Sequence, residues 1–314
     1  MTVSPPALSL DELELHRREL TGYCYRMLGS TFEADDAVQE TIVRAWKSAD
    51  RFEGRASVRS WVYRIATNVC LDMLRGRERR ARPMELGPSR PPEEKYLAEV
   101  LPEHAWVTPI PDDKVDPAAI AESRETIRLA FVTALQHLPP RQRAALILCE
   151  VLKWQASEVA ELLDTSVAAI NSALQRARAT LASVSTADRA AEVDAELLAK
   201  YVDAFERYDV TSLVKLLADD AIQSMPPYAM WLRGAENIGA WLLGPGAGCH
   251  GSKLIPVSAN GLPAFGQYRV DPEGGHTPWA LQVLEVSDGR ITGFHAFLDT
   301  RLFEAFGLPA HLPA

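Results

Sequence analysis

The chain has 314 residues, 47% of them hydrophobic, enough to bury more than one core, so two or three domains are expected. Its formal charge of −9 looks wrong for a nucleic-acid binder until it is divided: residues 1–82 carry +2, 83–126 carry −6, 127–187 carry +2 and 188–314 carry −7. Cys24, Cys70, Cys149 and Cys249 lie far apart with no Cys-x-x-Cys pair, there is no basic-then-apolar start, and no apolar run spans a bilayer, which argues against a zinc site, a disulfide framework, a signal peptide and a membrane protein.

In chain order, Leu13, Leu20, Tyr23, Met27 and Leu28 share one face of a helix predicted over residues 11–29. Ser30-Thr31 offers an N-cap for a second helix over 33–49, with Val38, Ile42, Ala45 and Trp46 as its apolar stripe. A glycine-containing loop, 52–57, leads into a long helix predicted to run from Ser57 through Trp61, Ile65 and Val69 to the cluster ending at Arg82. Residues 83–117 are rich in Pro, Glu and Asp without steady periodicity, and an extended acidic linker with no core of its own is expected there. Helices are then predicted over 118–137, broken by Pro139-Pro140, and over 141–152, 156–163 and 166–183. The tail changes character. Helical stretches at 191–217 and 235–243 precede period-two runs at 264–270 and 279–286, and Ser287-Asp-Gly-Arg290 reads as the turn of a hairpin to 291–298.

Two stretches carry chemistry. Residues 154–178 read as a helix, a short turn and a second helix capped by Ser166, with Val159, Leu162 and Leu163 facing Ile170, Leu174 and Leu181, the arrangement of a helix-turn-helix. That packing frees Ala168, Ala169, Asn171, Ser172 and Gln175 for a major groove, where Asn and Gln suit adenine, while Arg176 and Arg178 suit phosphates; an ordinary helical hairpin with a solvated basic face fits the same pattern. The helix from Ser57 interleaves Trp61, Tyr63 and Asn68 with Arg55, Arg59, Arg64 and the terminal Arg75, Arg77, Arg79 and Arg80. Rings that stack on unpaired bases beside guanidinium groups that hold phosphates suit single-stranded DNA, although Trp61 equally suits a core position.

Taken together, Ala34-Asp-Asp-Ala-Val-Gln-Glu-Thr-Ile-Val-Arg-Ala-Trp46 and Ser60-Trp-Val-Tyr-Arg-Ile-Ala-Thr-Asn-Val-Cys-Leu-Asp72 resemble the second conserved region of extracytoplasmic-function sigma factors. Leu138-Pro-Pro-Arg-Gln-Arg-Ala-Ala-Leu-Ile-Leu148 and the helix-turn-helix resemble their fourth region. The resemblance implies that Asp35, Asp36, Gln39, Glu40 and Arg44 dock on the clamp helices of core RNA polymerase, a partner built on beta and beta-prime subunits. It implies that Phe52, Arg55 and Ser57 of the loop, with the helix behind them, read and melt the minus-ten promoter element and capture an extruded base. The helix from Ser166 would read the minus-thirty-five element, with less reliance on charge than in many relatives, because Asn171 and Ala173 stand where Lys and Arg are common. The acidic linker would lie in a positively charged polymerase channel.

Tyr201-Val-Asp-Ala-Phe-Glu-Arg-Tyr-Asp-Val210 and Gly293-Phe-His-Ala-Phe-Leu-Asp299 resemble the first helix and last strand of the SnoaL or nuclear-transport-factor-2 fold. Tyr228, Trp231, His250, Trp279, Gln282, His295 and Asp299 are its candidate pocket residues. The expected organisation is therefore multidomain: sigma region 2 (8–82), acidic linker (83–117), sigma region 4 (118–186) and an α+β SnoaL-like cone (190–312). What the resemblance implies is a cytoplasmic promoter-specificity subunit, not an enzyme, without a cofactor, whose tail modulates its activity and offers a site for a small-molecule ligand. Two other readings fit parts of the sequence: a stand-alone helix-turn-helix regulator with a ligand-sensing tail, and an isomerase- or cyclase-type enzyme with a DNA-binding appendage.

Overall fold

The N-terminal helices form where the apolar spacing predicts them, in shorter pieces. The computed structural model describes residues 8–52, 54, 57–98, 100–116, 124–184 and 195–314. The first expected helix is two: α1 (Leu10–Glu14), closed by a Ser9–Glu12 capping box, and α2 (Arg17–Leu28), which ends on Gly29 at φ 72°. Ser30 and Ser57 cap α3 (Thr31–Lys47) and α4 (Val58–Met73) through their hydroxyls. Leu20, Tyr23, Met27, Val38, Ile42, Val62 and Val69, each at most 4% exposed, form the core between these helices. The helix expected to reach Arg82 stops at Met73, and Arg75, Arg77, Arg79 and Arg80 follow in irregular chain.

The helix expected over 118–137 is described only as α5 (Leu129–Gln136); residues 117–123 lie outside the described residues. Pro140 then opens α6 (Pro140–Leu146), which runs on as a π turn, Ile147–Val151, before α7 (Ala156–Leu162) and α8 (Val167–Val184). The described residues of Met1–Arg80 and Val107–Thr186 form one compact unit, and those of Ala81–Trp106 and Ala187–Ala314 a second.

Within the first unit the two helical modules pack on each other through buried arginines. Arg143 of α6 is 3% exposed; one nitrogen donates to Met27 O and to Gln136 Oε1 (2.6 Å), the other to Gln136 O and Leu138 O (3.1 Å each). Arg26 of α2, 1% exposed, donates to Gly22 O at 2.9 Å, Thr126 O at 3.0 Å and Thr126 Oγ1 at 3.1 Å. Each of these acceptors is neutral, and burial lowers both pKa values to about 10.

The second unit wraps a six-stranded sheet. Helices α9 (Ala195–Glu206) and α10 (Val210–Leu216) lead into β1 (Leu217–Ser224) and β2 (Trp231–Arg233), then α11 (Ala235–Leu243). Strands β3 (Lys253–Ala259), β4 (Leu262–Val270), β5 (His276–Ser287) and β6 (Arg290–Phe297) precede α12 (Arg301–Ala305). The order is β2-β1-β6-β5-β4-β3, with only the β1–β6 pair parallel among the described strands. The β5–β6 hairpin turns on Asp288 and Gly289 at φ 50° and 70°, the left-handed pair that a two-residue loop demands. One sheet face packs on α9, where Tyr201 meets Phe265 at 5.7 Å and Phe294 at 6.3 Å; near α12, Tyr268 meets Phe303 at 5.0 Å.

The stretch expected as a coreless tether has cores on both sides. Val107, Ile110 and Val115 are at most 2% exposed in the first unit. In the second, Trp106 is 3% exposed, Arg90 N donates to Trp231 O (2.9 Å), Leu101 N to Pro227 O (3.0 Å), and Tyr96 and Leu97 pack on the sheet's core. Apolar residues this sparse show no periodicity of their own; they bury against surfaces that other elements have already built.

Candidate functional site

The recognition-helix geometry rests on period. Ile170, Leu174 and Ala177, at most 7% exposed, hold α8 against Val159 and Leu162 of α7, so Ser166, Ala168, Ala169, Asn171, Gln175, Arg176 and Arg178 stand exposed on the other side. Ser166 caps the helix, its Oγ accepting from Ala169 N at 3.1 Å. Ser172 is half-buried and accepts from Arg176 at 2.7 Å, while Arg178 pairs with Glu150. Small side chains at 168 and 169 leave the exposed face of the helix low there, with Asn171 and Gln175 one turn apart behind them.

On α3, Asp36, Gln39, Glu40 and Arg44 are exposed, and Arg44 donates to Glu40 at 2.6 Å; Asp35 is half-buried and paired with Lys114 at 2.6 Å. Trp46, read as part of the apolar stripe, is instead 59% exposed.

The α4 residues are less free than the sequence suggested. Trp61 is half-buried and stacks on Phe52 at 5.1 Å. Arg59 donates to Glu19 (2.8 Å) and lies 5.3 Å from the rings of Tyr63 and Trp154, and Arg64 donates to Glu161 O at 2.8 Å. Trp154 and Glu161 belong to the region-4 side of the same unit, so two DNA-facing candidates are spent on the neighbouring module. Arg80, expected on phosphates, is 5% exposed and pairs with Glu33 at 2.8 Å, as Arg77 also pairs with Glu33. Arg79 contacts His137 at 3.2 Å; Asn68 is exposed, and Arg75 is exposed beside Asp72 at 3.1 Å. Arg55 lies outside the described residues.

The candidate pocket residues are not gathered into one site. Gln282 is buried among the residues facing α9; it accepts from the Tyr201 hydroxyl (2.8 Å) and donates to Gln267 (2.8 Å), which donates to Ser252 (3.0 Å). Burial pushes the Tyr201 hydroxyl well above its ordinary pKa, which keeps it a donor. Trp231 gives its ring N–H to Gly87 O at 2.8 Å, Tyr228 bridges to Val100, and Trp279 is 36% exposed beneath Arg269 at 3.4 Å. His250 is exposed beside Tyr208, and Asp299 holds Arg301 at 2.6 Å. Strand alternation puts His295 on the sheet face opposite Gln282, because Val283 pairs with His295 in the ladder while Gln282 pairs with Ala296.

On that opposite face is a cluster the sequence did not reveal. Ser224 Oγ lies 2.8 Å from His295 Nδ1, His295 Nε2 lies 3.2 Å from Glu285 Oε1, and one nitrogen of Arg82 sits 2.9 Å from both Nε2 and Oε1. Burial would raise the Glu285 pKa, but Arg82 and His295 outweigh it and hold the carboxyl far below the ordinary value of 4.5. Arg82 had read as the end of a DNA-facing helix, and Glu285 as a polar position in an alternating strand.

Comparison with known proteins follows the same division. Family profiles match in order: sigma-70 region 2 over residues 13–80, sigma-70 region 4 over 128–181 and a SnoaL-like domain over 198–294. The "ECF RNA polymerase sigma factor SigG" of Mycobacterium tuberculosis is 46% identical over 311 residues, 95% of this chain and 83% of that one. SigJ of the same organism, also an ECF RNA polymerase sigma factor, is 28% identical over 299 residues, covering 90% and 89%. The crystal structure of SigJ matches with a TM-score of 0.60 at 23% identity, over 96% of this chain and 100% of that one, a likeness of fold.

Proposed function

Since this chain belongs to the extracytoplasmic-function RNA polymerase sigma factors, we propose the following division of labour among its parts. The exposed Asp36–Gln39–Glu40 face of α3 docks on the clamp of core polymerase, α4 and the loop before it engage the minus-ten element, and α8 reads the minus-thirty-five element. The chain performs no covalent chemistry. The observation that carries this reading is the exposed face of α8, where Ala168, Ala169, Asn171 and Gln175 point away from a hydrophobic seam and toward solvent.

The packed form of the first unit supports a further element. The two promoter elements are named for positions about 25 base pairs apart, roughly 85 Å of duplex at ~3.4 Å per pair. Arg64 of α4 touches Glu161 of the helix-turn-helix. Both elements cannot be held at that separation while this contact persists, so the two modules part when polymerase is bound. The C-terminal unit modulates the process by holding residues 81–106, which lie between the sigma modules in sequence.

In vitro transcription by core polymerase with a random-promoter library tests the reading. Initiation at a restricted promoter set is expected, and failure at every promoter would overturn it. In the same assay Asn171→Ala should relax preference at one base pair by about 1–3 kcal/mol. A pull-down of core polymerase that succeeds with the wild type and weakens with the Asp36→Ala, Gln39→Ala double variant separates this reading from a stand-alone regulator.

A further inference from the structure

The cluster of Ser224, Glu285, His295 and Arg82 is built to require a cation. Glu285 Oε1 and His295 Nε2 are 3.2 Å apart, and one Arg82 nitrogen lies 2.9 Å from each, donating to the carboxylate. His295 Nδ1 lies 2.8 Å from Ser224 Oγ, so both ring nitrogens have partners. The Arg82 guanidinium is the permanent positive charge against the Glu285 carboxylate, and a chain without it leaves that carboxylate short of a partner. Gly293 makes the room: it faces Glu285 in the β5–β6 ladder, and a Cβ placed there would meet Glu285 Oε2 and His295 Nε2 at 2.8 Å each. His295 and Ser224 are at most 2% exposed, whereas the side chains of Arg82 and Glu285 are 15% and 16% exposed, so the cation enters from an open rim onto a closed floor.

We infer that this is a guanidinium-binding site of the C-terminal unit whose resident ligand is the chain's own Arg82, and that an alkylguanidinium from solution can take its place. One nitrogen with two N–H donors makes both contacts, so a primary ammonium can enter too. Guanidinium is favoured because it is less strongly hydrated and is always charged. Arg82 stands at the head of residues 81–106, and Ala81 N donates to Ala105 O at 2.8 Å, so occupancy of the site ties down the start of that segment. The inference deepens the reading that the C-terminal unit holds this segment and rests on that reading only for its effect on transcription.

The test follows amide exchange across residues 81–90 in the full chain at pH 8. Arg82→Ala should exchange about tenfold faster there than wild type. Millimolar ethylguanidinium should restore protection, and tetramethylammonium, which has no N–H, should not. Glu285→Gln should exchange faster and resist rescue. In the wild type, higher ethylguanidinium should accelerate exchange over 81–90 by competing with the tethered Arg82. Unchanged exchange in Arg82→Ala, equal rescue by tetramethylammonium, or rescue that survives Glu285→Gln would each overturn the site. Promoter-dependent transcription is scored separately, so a chain that fails as a sigma factor can still pass or fail as a guanidinium receptor.

Discussion

Two arginines, one in each unit, are held in opposite ways. In the helical unit, Arg143 is enclosed by carbonyl and amide oxygens of Met27, Gln136 and Leu138, all of them neutral. In the C-terminal unit, Arg82 meets an ionised carboxylate and an imidazole at a rim that solvent reaches. Neutral acceptors bind a guanidinium without titrating, and three of the four are backbone oxygens brought together only by the folded arrangement, so the first kind of burial is structural. A carboxylate partner can be protonated, mutated or offered another cation, so the second kind is exchangeable. The difference teaches that a buried arginine is identified as scaffold or latch by its partner, not by its depth.

Several substitutions would break or sharpen that contrast. The largest effect is expected from Arg143→Met, which leaves four acceptors unsatisfied between the helical modules; denaturant unfolding should show a loss of about 3 kcal/mol in the first unit. Gly293→Ala should cost the second unit about 2 kcal/mol, because its new methyl drives Glu285 and His295 apart, and exchange across 81–90 should rise with it.

Acid should act on the C-terminal unit through Glu285. The folded Glu285 pKa lies below the unfolded value, so its contribution is present above pH 4.5 and is lost as pH falls through that value toward the folded one. Stability of the C-terminal unit should therefore decline between pH 5 and pH 3 by at most about 1.4 kcal/mol per pH unit from this group, and Glu285→Gln should flatten that slope. The smallest effect separates the two arginines by charge alone. Arg82→Lys should change stability by under about 1 kcal/mol, since one nitrogen makes both contacts. Arg143→Lys should cost clearly more, because Arg143 uses two nitrogens on four acceptors.

Much of the molecule is legible in the sequence. Serine caps at Ser30, Ser57 and Ser166, the Pro139-Pro140 break, the seam of the helix-turn-helix and the Asp288-Gly289 turn are short-range signals, and each depends on neighbours within a few residues. Helix length was less legible: periodicity alone carried the third expected helix to Arg82, whereas the chain leaves it after Met73. The candidate pocket failed for a different reason. Strand alternation places Gln282 and His295 on opposite faces, and neither composition nor motif similarity chooses which face a cavity uses.

What the chain by itself determined is its local order: which stretches are helices, where they are capped, and that two basic helical modules precede an acidic α+β tail. Tertiary structure alone decided which charges meet. Arg82 and Glu285 are 203 positions apart, and Arg143 and Met27 are 116 apart. Local propensity acts over a turn or two of chain, but electrostatic pairing and burial act across space, so the partner that makes one arginine a fixture and another a latch appears only when the chain has folded.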